Sequence, residues 1–321
     1  MQSLKEYCFI RYLSSKKSVD DRALNLHVLQ KLKALIPKAS LDNPLHVLEV
    51  GSGIGTMIER MIDWGILTYV DYVAIDVAPG NIKESLHRLS GWAEGRDFEF
   101  RRSGVHSAFI KMAAGSASIT FHPMDIHDFF QKEKSTQSCD LLIAHAFMDL
   151  VHMPVIIPHF CRLIKHGGLL YLTLNFDGVT ILLPVLHDHL DEKIIALYHR
   201  SMDERIINGK QAGGSRTGRK LFAQLQNAGA KTLAAASSDW IVFPTEGFYP
   251  QDEAYFLHYI IHTIHEELKT HPALDSQRFN AWVEKRHDQI ERGELIYIAK
   301  QFDFLSQLPG SSSVLRSHLL K

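Results

Sequence analysis

A short apolar run, LHVLEV (45–50), leads directly into three alternating glycines, Gly51, Gly53 and Gly55, and then into GTMIERMIDWG. Glycines at these places let the backbone turn tightly and approach a ligand without a Cβ in the way. The helix that follows points unpaired amides and a partial positive charge into the turn. The segment therefore reads as strand, turn and helix, facing an electron-rich ligand. The next apolar run, VDYVAIDV (70–77), ends in Asp76, 21 residues after Gly55. An acidic residue at that distance binds the two hydroxyls of a ribose. The nicotinamide dinucleotide fingerprint GxGxxG needs glycine at 56, where this chain has Thr56, and Glu49 two residues before the first glycine also departs from it.

The alternation continues. Strands are read at 117–126 (ASITFHPMDI), 139–147 (CDLLIAHAF) and 167–176 (GGLLYLTLNF), with helices between them. Strands separated by helices imply right-handed βαβ units and a parallel sheet covered on both faces. Ahead of the first strand, residues 18–36 read as one amphipathic helix, started by Ser18 with Asp21 and stopped by Pro37. After Asp177 an inserted helical segment is expected from ILLPV onward. A Gly-rich turn, GKQAGGSRTGR, then leads into a short helix. AAASSDWIVFP (234–244) is a sixth strand, two helices follow, and ELIYIAKQFDFL (294–305) is the last strand. The stretch 95–116 has no pattern that places it.

The chain has 321 residues, enough for one large domain or two modest ones. Lys plus Arg (35) nearly cancels Asp plus Glu (36), which argues against a broad nucleic-acid face. No apolar run approaches the ~20 residues that span a bilayer, and the N-terminus lacks the apolar core of a signal peptide. Cys8, Cys139 and Cys161 form no CxxC pair, which points to a reducing, cytoplasmic setting. His187 and His189 in LHDHLDE fall on different faces of the helix read there, so no metal site is expected.

VLEVGSGIGT, YVAIDVAPGNI, HPMDIHDF, CDLLIAHAFMDLVH and HGGLLYLTLNF, in that order, resemble the motif set of class I S-adenosylmethionine (SAM)-dependent methyltransferases. The resemblance spans roughly residues 45–176. It implies a Rossmann-like α/β sheet of seven strands, mostly parallel, with an antiparallel last strand between the fifth and sixth, and an added helical lid. The expected divisions are an N-terminal lid segment (1–42), a SAM-binding core (43–178), a helical insertion (179–230), a C-terminal part of the sheet (231–308) and a tail (309–321). The implied cofactor is SAM. Gly51, Ser52, Gly53 and Gly55 would hold its methionine portion, with Glu49 beneath the loop. Asp76 would take the ribose hydroxyls and Val77 would lie against the adenine. Asp125 would accept from the adenine amino group and Ile126 would offer its backbone NH, although Asp125 also reads as a helix N-cap. Ala144 and His145 would border the cofactor. Arg22, in the leading helix, would meet its carboxylate or else form a surface pair with an aspartate.

Active sites in open α/β sheets lie beyond the carboxyl ends of the strands. That places His145, Asp149 and His152 as the catalytic candidates, His145 first because imidazole titrates near neutral pH. Asn175, Asp177, Tyr198, Arg205, Arg216 and Trp240 are the substrate candidates. GGSRTGRK opens a helix, where Arg216 beside unpaired amides, with Arg205 approaching, would clamp an acidic group on the acceptor. The expected activity is methyl transfer to an oxygen or nitrogen of a small organic molecule. An RNA methyltransferase and a non-catalytic SAM-binding protein are the alternatives.

Overall fold

In the computed structural model, residues 7–133 and 136–310 are described. Three short helices lead: α1 (Phe9–Ser15), α2 (Lys17–Ala23) and α3 (Leu26–Leu35). Then come β1 (Leu45–Val50), α4 (Thr56–Asp63), β2 (Tyr69–Asp76), α5 (Pro79–Glu94), β3 (Glu99–Gly104), β4 (Ser107–Met112), β5 (Gly115–Pro123) and α6 (Ile126–Lys132). The chain continues with β6 (Cys139–His145), α7 (Met153–Leu163), β7 (Ile164–Leu183), α8 (Asp188–Glu204), β8 (Ile206–Ile207), β9 (Lys210–Gln211) and α9 (Thr217–Asn227). It closes with β10 (Lys231–Ser237), β11 (Trp240–Val242), α10 (Glu253–Leu268), α11 (Ser276–Glu291) and β12 (Ile296–Gln307).

The main sheet has the order β10-β12-β7-β6-β1-β2-β5-β4-β3, with β11 paired to β12. β5, β2, β1, β6 and β7 are neighbours in parallel register, and β12 lies antiparallel between β7 and β10. Alternation along β1 sorts the two layers. Val47 packs with α3, α4 and α5 through Val28, Met61 and Leu86. Leu48 and Val50 pack with α6, α7 and α9 through Phe129, Ile156 and Leu221. A third cluster joins α8, α10 and α11 to Leu182 and Tyr297 on the far ends of β7 and β12. The chain builds away from β1 on one side and then returns to β6 on the other. The crevice at the carboxyl ends of β1 and β6 is therefore a topological switch point, where open α/β sheets bind ligands.

Four expectations are corrected. The sheet has ten strands rather than seven. The unplaced stretch 95–116 supplies two of them, the β3–β4 hairpin that extends the β5 edge. The leading helix is broken at Leu24. Asn25 caps α3 by accepting from the His27 and Val28 amides, and its own N–H donates to Asp303 of β12. Ser18 lies inside α2, where its hydroxyl donates to Glu253 instead of capping. β7 does not give way to a helix at Ile181: Thr180, Ile181, Leu182 and Leu183 keep pairing with β12, and α8 starts at Asp188. Ladder hydrogen bonds and the burial of Leu182 outweigh the local helical reading. The sixth strand divides into β10 and β11, between which the Ser238 amide bonds Gln301. Among the described residues, no helix is long and apolar enough to cross a membrane.

Candidate functional site

The glycine turn is held by its neighbours before any ligand is considered. The amides of Gly51 and Ser52 both donate to the Ile75 carbonyl, at 2.9 and 3.0 Å. The Gly53 amide donates to Asp76 Oδ2 at 2.8 Å. Gly51 has φ +70°, and a Cβ there would meet the Phe147 ring at 2.5 Å, so glycine is required both by conformation and by space. The other carboxylate oxygen of Asp76 accepts from the Ala78 amide and the Asn81 side chain. Glu49 is fully enclosed and accepts from the Tyr72 hydroxyl at 2.8 Å. Burial pushes its carboxyl up to about 8, against the opposing pull of that hydrogen bond and Arg60.

A cavity of about 940 Å³ opens above the turn. One half is bordered by Glu49, Gly51, Ser52, Gly53, Asp76, Val77, Asp125 and Ile126. The other half is walled by rings and apolar chains from α1, α8, α10, β11 and β12, among them Tyr12, Tyr198, Trp240, Tyr259 and Tyr297. His145, the last residue of β6, also lines the cavity, as do Asp149 and His152 on the segment that follows. Asp125 also caps α6 by accepting from the His127 amide.

His145 is buried and both its ring nitrogens are engaged. Nε2 lies 3.1 Å from Asp20 Oδ2, and Nδ1 lies 2.8 Å from the Thr173 hydroxyl. The carboxylate fixes the tautomer, with Nε2–H donating to Asp20 and Nδ1 accepting from Thr173. Burial lowers the imidazole to about 4, outweighing Asp20, with Arg60 and Lys16 adding to the shift. His145 therefore offers no free nitrogen to take a proton from a ligand. Asp149 is enclosed and forms no ion pair among the described residues, and its carboxyl is raised mainly by burial. His152 donates from Nδ1 to the Gln211 carbonyl at 2.7 Å, tying the β8–β9 hairpin to the cavity rim.

Several expected site residues stand elsewhere. Arg22 does not reach the cavity; its guanidinium bonds both oxygens of Glu253 on α10. Gly55 and Ala144 do not border the cavity. Gly55 packs on Ser85, and Ala144 sits within the core beneath β6. Asn175 donates to the Phe302 carbonyl inside the sheet. Asp177 accepts from the Arg219 amide and guanidinium, and the Ser215 amide and hydroxyl donate to Asp203. These bonds turn GGSRTGRK against β7 and α8, so Arg216 does not line the cavity. Arg205 does line it, 3.6 Å from Glu267.

The cation of the leading helices is Lys16, which lines the cavity, pairs with Asp20 at 3.0 Å and lies over the Trp240 ring. Asp20 is almost fully buried and also accepts from Trp240 Nε1 at 2.9 Å. Arg60 is equally buried, lying against Asp20, Asp21, Thr56 and His145. Sequence reasoning missed all three. The available signal is the stripe Tyr12, Ser15, Lys16, Val19 and Asp20, which recurs at helical spacing with charges inside an apolar face.

Five adjacent parallel strands with β1 central, and the antiparallel β12 slotted between β7 and the end strand β10, make this the fold of class I SAM-dependent methyltransferases. No family model matches the sequence, and no curated protein matches it. Among solved structures the chain is similar to a SAM-dependent methyltransferase from Geobacter sulfurreducens in complex with S-adenosyl-L-homocysteine, at 13% identity and TM-score 0.44, over 92% of this chain and 97% of that one. It is also similar to geranyl diphosphate C-methyltransferase from Streptomyces coelicolor, at 9% identity and TM-score 0.43, over 87% and 77%. A third is phosphoethanolamine N-methyltransferase 2 from Haemonchus contortus, at 13% identity and TM-score 0.42, over 96% and 61%. The fold assignment stands on strand order and direction, not on these distant likenesses.

Proposed function

We propose that the chain is a SAM-dependent methyltransferase that acts on an oxygen or nitrogen of a small organic acceptor. The observation that carries this is one continuous cavity, polar and glycine-lined at one end and aromatic at the other, at the switch point of the sheet. Its volume lies near the top of the ~300–1,000 Å³ range of ligand pockets, which suits a cofactor and an acceptor side by side.

The residues present fit the cofactor. Asp76 Oδ2, whose acceptor sites are taken by the Gly53 amide alone among the described residues, keeps a lone pair for a ribose hydroxyl, while Oδ1 is held by Ala78 and Asn81. Ser52, whose buried Oγ has no hydrogen-bond partner among the described residues, lines the cavity and is available to the methionine portion. Asp125 and Ile126 stand where an adenine edge would be received. When bound, SAM supplies a methyl group on an electrophilic sulfonium. The protein aligns the acceptor and excludes water. Asp149, raised by burial and free of an ion partner, is the group placed to accept a proton from an acceptor hydroxyl or amine. His145 is a wall and an anchor. An acidic group on the acceptor would meet Arg205, not Arg216. We place the protein in the cytoplasm on its unpaired cysteines.

Calorimetry with SAM and S-adenosylhomocysteine tests the reading, with one site per chain expected. Asp76→Ala should weaken binding by about 1–3 kcal/mol, the cost of leaving buried hydroxyls without a charged acceptor. Binding of NADH with no binding of these two compounds would overturn it.

A further inference from the structure

The aromatic half of the cavity contains polar atoms that the reading above leaves unused. Tyr12 of α1, Tyr198 of α8 and Tyr297 of β12 all line it. They come from three separate elements that meet at one cavity, where the Phe256 ring lies 5.8 Å from the ring of Tyr12 and 6.0 Å from that of Tyr297. The other enclosed tyrosines bond their hydroxyls within the fold or sit away from the cavity. Tyr72 donates to Glu49, and Tyr171 lies inside the sheet core. The hydroxyls of Tyr12, Tyr198 and Tyr297 have no hydrogen-bond partner among the described residues. Burial raises all three phenols, so each keeps its proton and stands as a donor. Three such hydroxyls lining one cavity suit a ligand group with several acceptor lone pairs.

The charges on the same wall decide the sign of that group. Arg205, which follows the last residue of α8, the helix that carries Tyr198, lines the same cavity. Its separation of 3.6 Å from Glu267 is beyond hydrogen-bond reach, so its donors remain available. Lys16 contributes a second cation, paired with Asp20. The acids near this group are Asp149, Asp20, which pairs with Lys16, and Glu267, which stands 3.6 Å from Arg205. A ligand carboxylate would accept from the three hydroxyls and from the Arg205 guanidinium, which makes no hydrogen bond among the described residues. The remaining walls are Trp240, Tyr259, Phe176 and Ile260, suited to a flat apolar body.

We infer that the acceptor is an apolar, ring-bearing carboxylic acid whose carboxylate is received by the hydroxyls of Tyr12, Tyr198 and Tyr297 beside Arg205. This rests on the methyltransferase reading for the other half of the cavity. It concerns recognition: the carboxylate is the handle by which the acceptor is oriented.

The test uses three matched probes, 2-naphthoate, 2-naphthamide and 2-naphthylmethylamine, titrated into the full chain with and without S-adenosylhomocysteine. Naphthoate should bind about tenfold or more tightly than either neighbour, the scale of hydrogen bonds to a charged group. Tyr198→Phe and Tyr297→Phe keep the ring and remove the donor. Each should weaken naphthoate about three- to tenfold and leave naphthamide within about twofold. Equal or tighter binding of the amine or amide, no binding of naphthoate at millimolar concentration, or Phe variants indistinguishable from the parent would overturn the inference. S-adenosylhomocysteine binding to the parent and both variants is measured in parallel. If it binds while the carboxylate preference is absent, the acid handle fails alone; if it does not bind, the methyltransferase reading fails, whatever the probes do.

Discussion

Asp20 and His145 lie 3.1 Å apart although 125 residues separate them in the chain. One is on a leading helix outside the sheet, and the other is at the tip of a central strand. Asp20 also accepts from Lys16 and Trp240, so a single buried carboxylate ties α1, α2, β6 and β11 together around the cavity. Cations and donors around it hold this carboxyl well below the usual range despite its burial.

Asp20→Asn should lower stability by about 3 kcal/mol, because it leaves Lys16 and Arg60 as buried charges short of a partner. A carboxyl with a depressed folded pKa contributes stability above its unfolded value of about 3.9 and loses it as pH falls through the folded one. The difference between parent and variant should therefore hold steady from about pH 5 to 8 and shrink only at lower pH. Urea melts at several pH values measure it. A difference that vanishes by pH 5 would mean that Asp20 is not held as a charged hub.

Glu49 gives cofactor binding a pH slope. With its carboxyl raised to about 8, it is largely protonated at neutral pH in the free protein. A cation arriving above the loop favours the ionised form, so SAM binding should release protons and tighten from about pH 6 to 8. S-adenosylhomocysteine, which lacks the sulfonium charge, should show a shallower slope. Glu49→Gln should flatten both. Calorimetry in buffers of different ionisation enthalpy counts the protons; equal slopes for parent and variant would remove Glu49 from the site.

Two glycine substitutions separate strain from contact. Gly51→Ala places a Cβ within 2.5 Å of Phe147 at φ +70°, and Gly65→Ala meets nothing within 4 Å at φ +65°. Both should lose about 1 kcal/mol or slightly more to backbone strain. Only Gly51→Ala should also displace Phe147 and weaken SAM binding, by about tenfold or more. Melting temperatures and calorimetry on the pair decide it.

Arg22 should matter for stability and not for the cofactor. It pairs with Glu253, whose side chain is fully buried, while its own is 47% exposed. Arg22→Ala should cost about 1–3 kcal/mol, less than a wholly buried pair. Affinity for S-adenosylhomocysteine should remain within about twofold. A large loss of affinity at unchanged stability would return Arg22 to the cavity.

The parallel half of the fold is legible in the sequence because its signals are local. LHVLEV followed by alternating glycines fixes a strand and a turn, and Asp76 is found by distance along the chain. Where partners come from far away, the reading stops. Leu24 ends a helix whose apolar spacing continues, because Asp303 takes the next amide. Arg22 and Lys16 look alike as cations on leading helices, yet Glu253 claims one and Asp20 turns the other inward. Asp177 and Arg216 follow the same logic: they sit close to the strand tips in sequence, but Arg219 and Asp203 hold that turn to the outside. Tyr12, Tyr198 and Tyr297 belong to three elements whose meeting at one cavity no spacing records.

The position of β12 also governs how the sheet can be assembled. It lies between β7 and β10, both of which precede it in the chain. Until residues 296–307 are available, those two strands have no ladder between them, and each keeps an open edge. Unpaired edges of apolar strands are templates for pairing with other chains. The distal stretch of β7, from Thr180 to Leu183, is the more vulnerable, since β12 is its only ladder partner there. The step that completes the aromatic wall, bringing in Tyr297, is thus the same step that covers the facing edges of β7 and β10. Long-range closure of this kind is slow, and here it is the same closure that brings Tyr297 to the cavity.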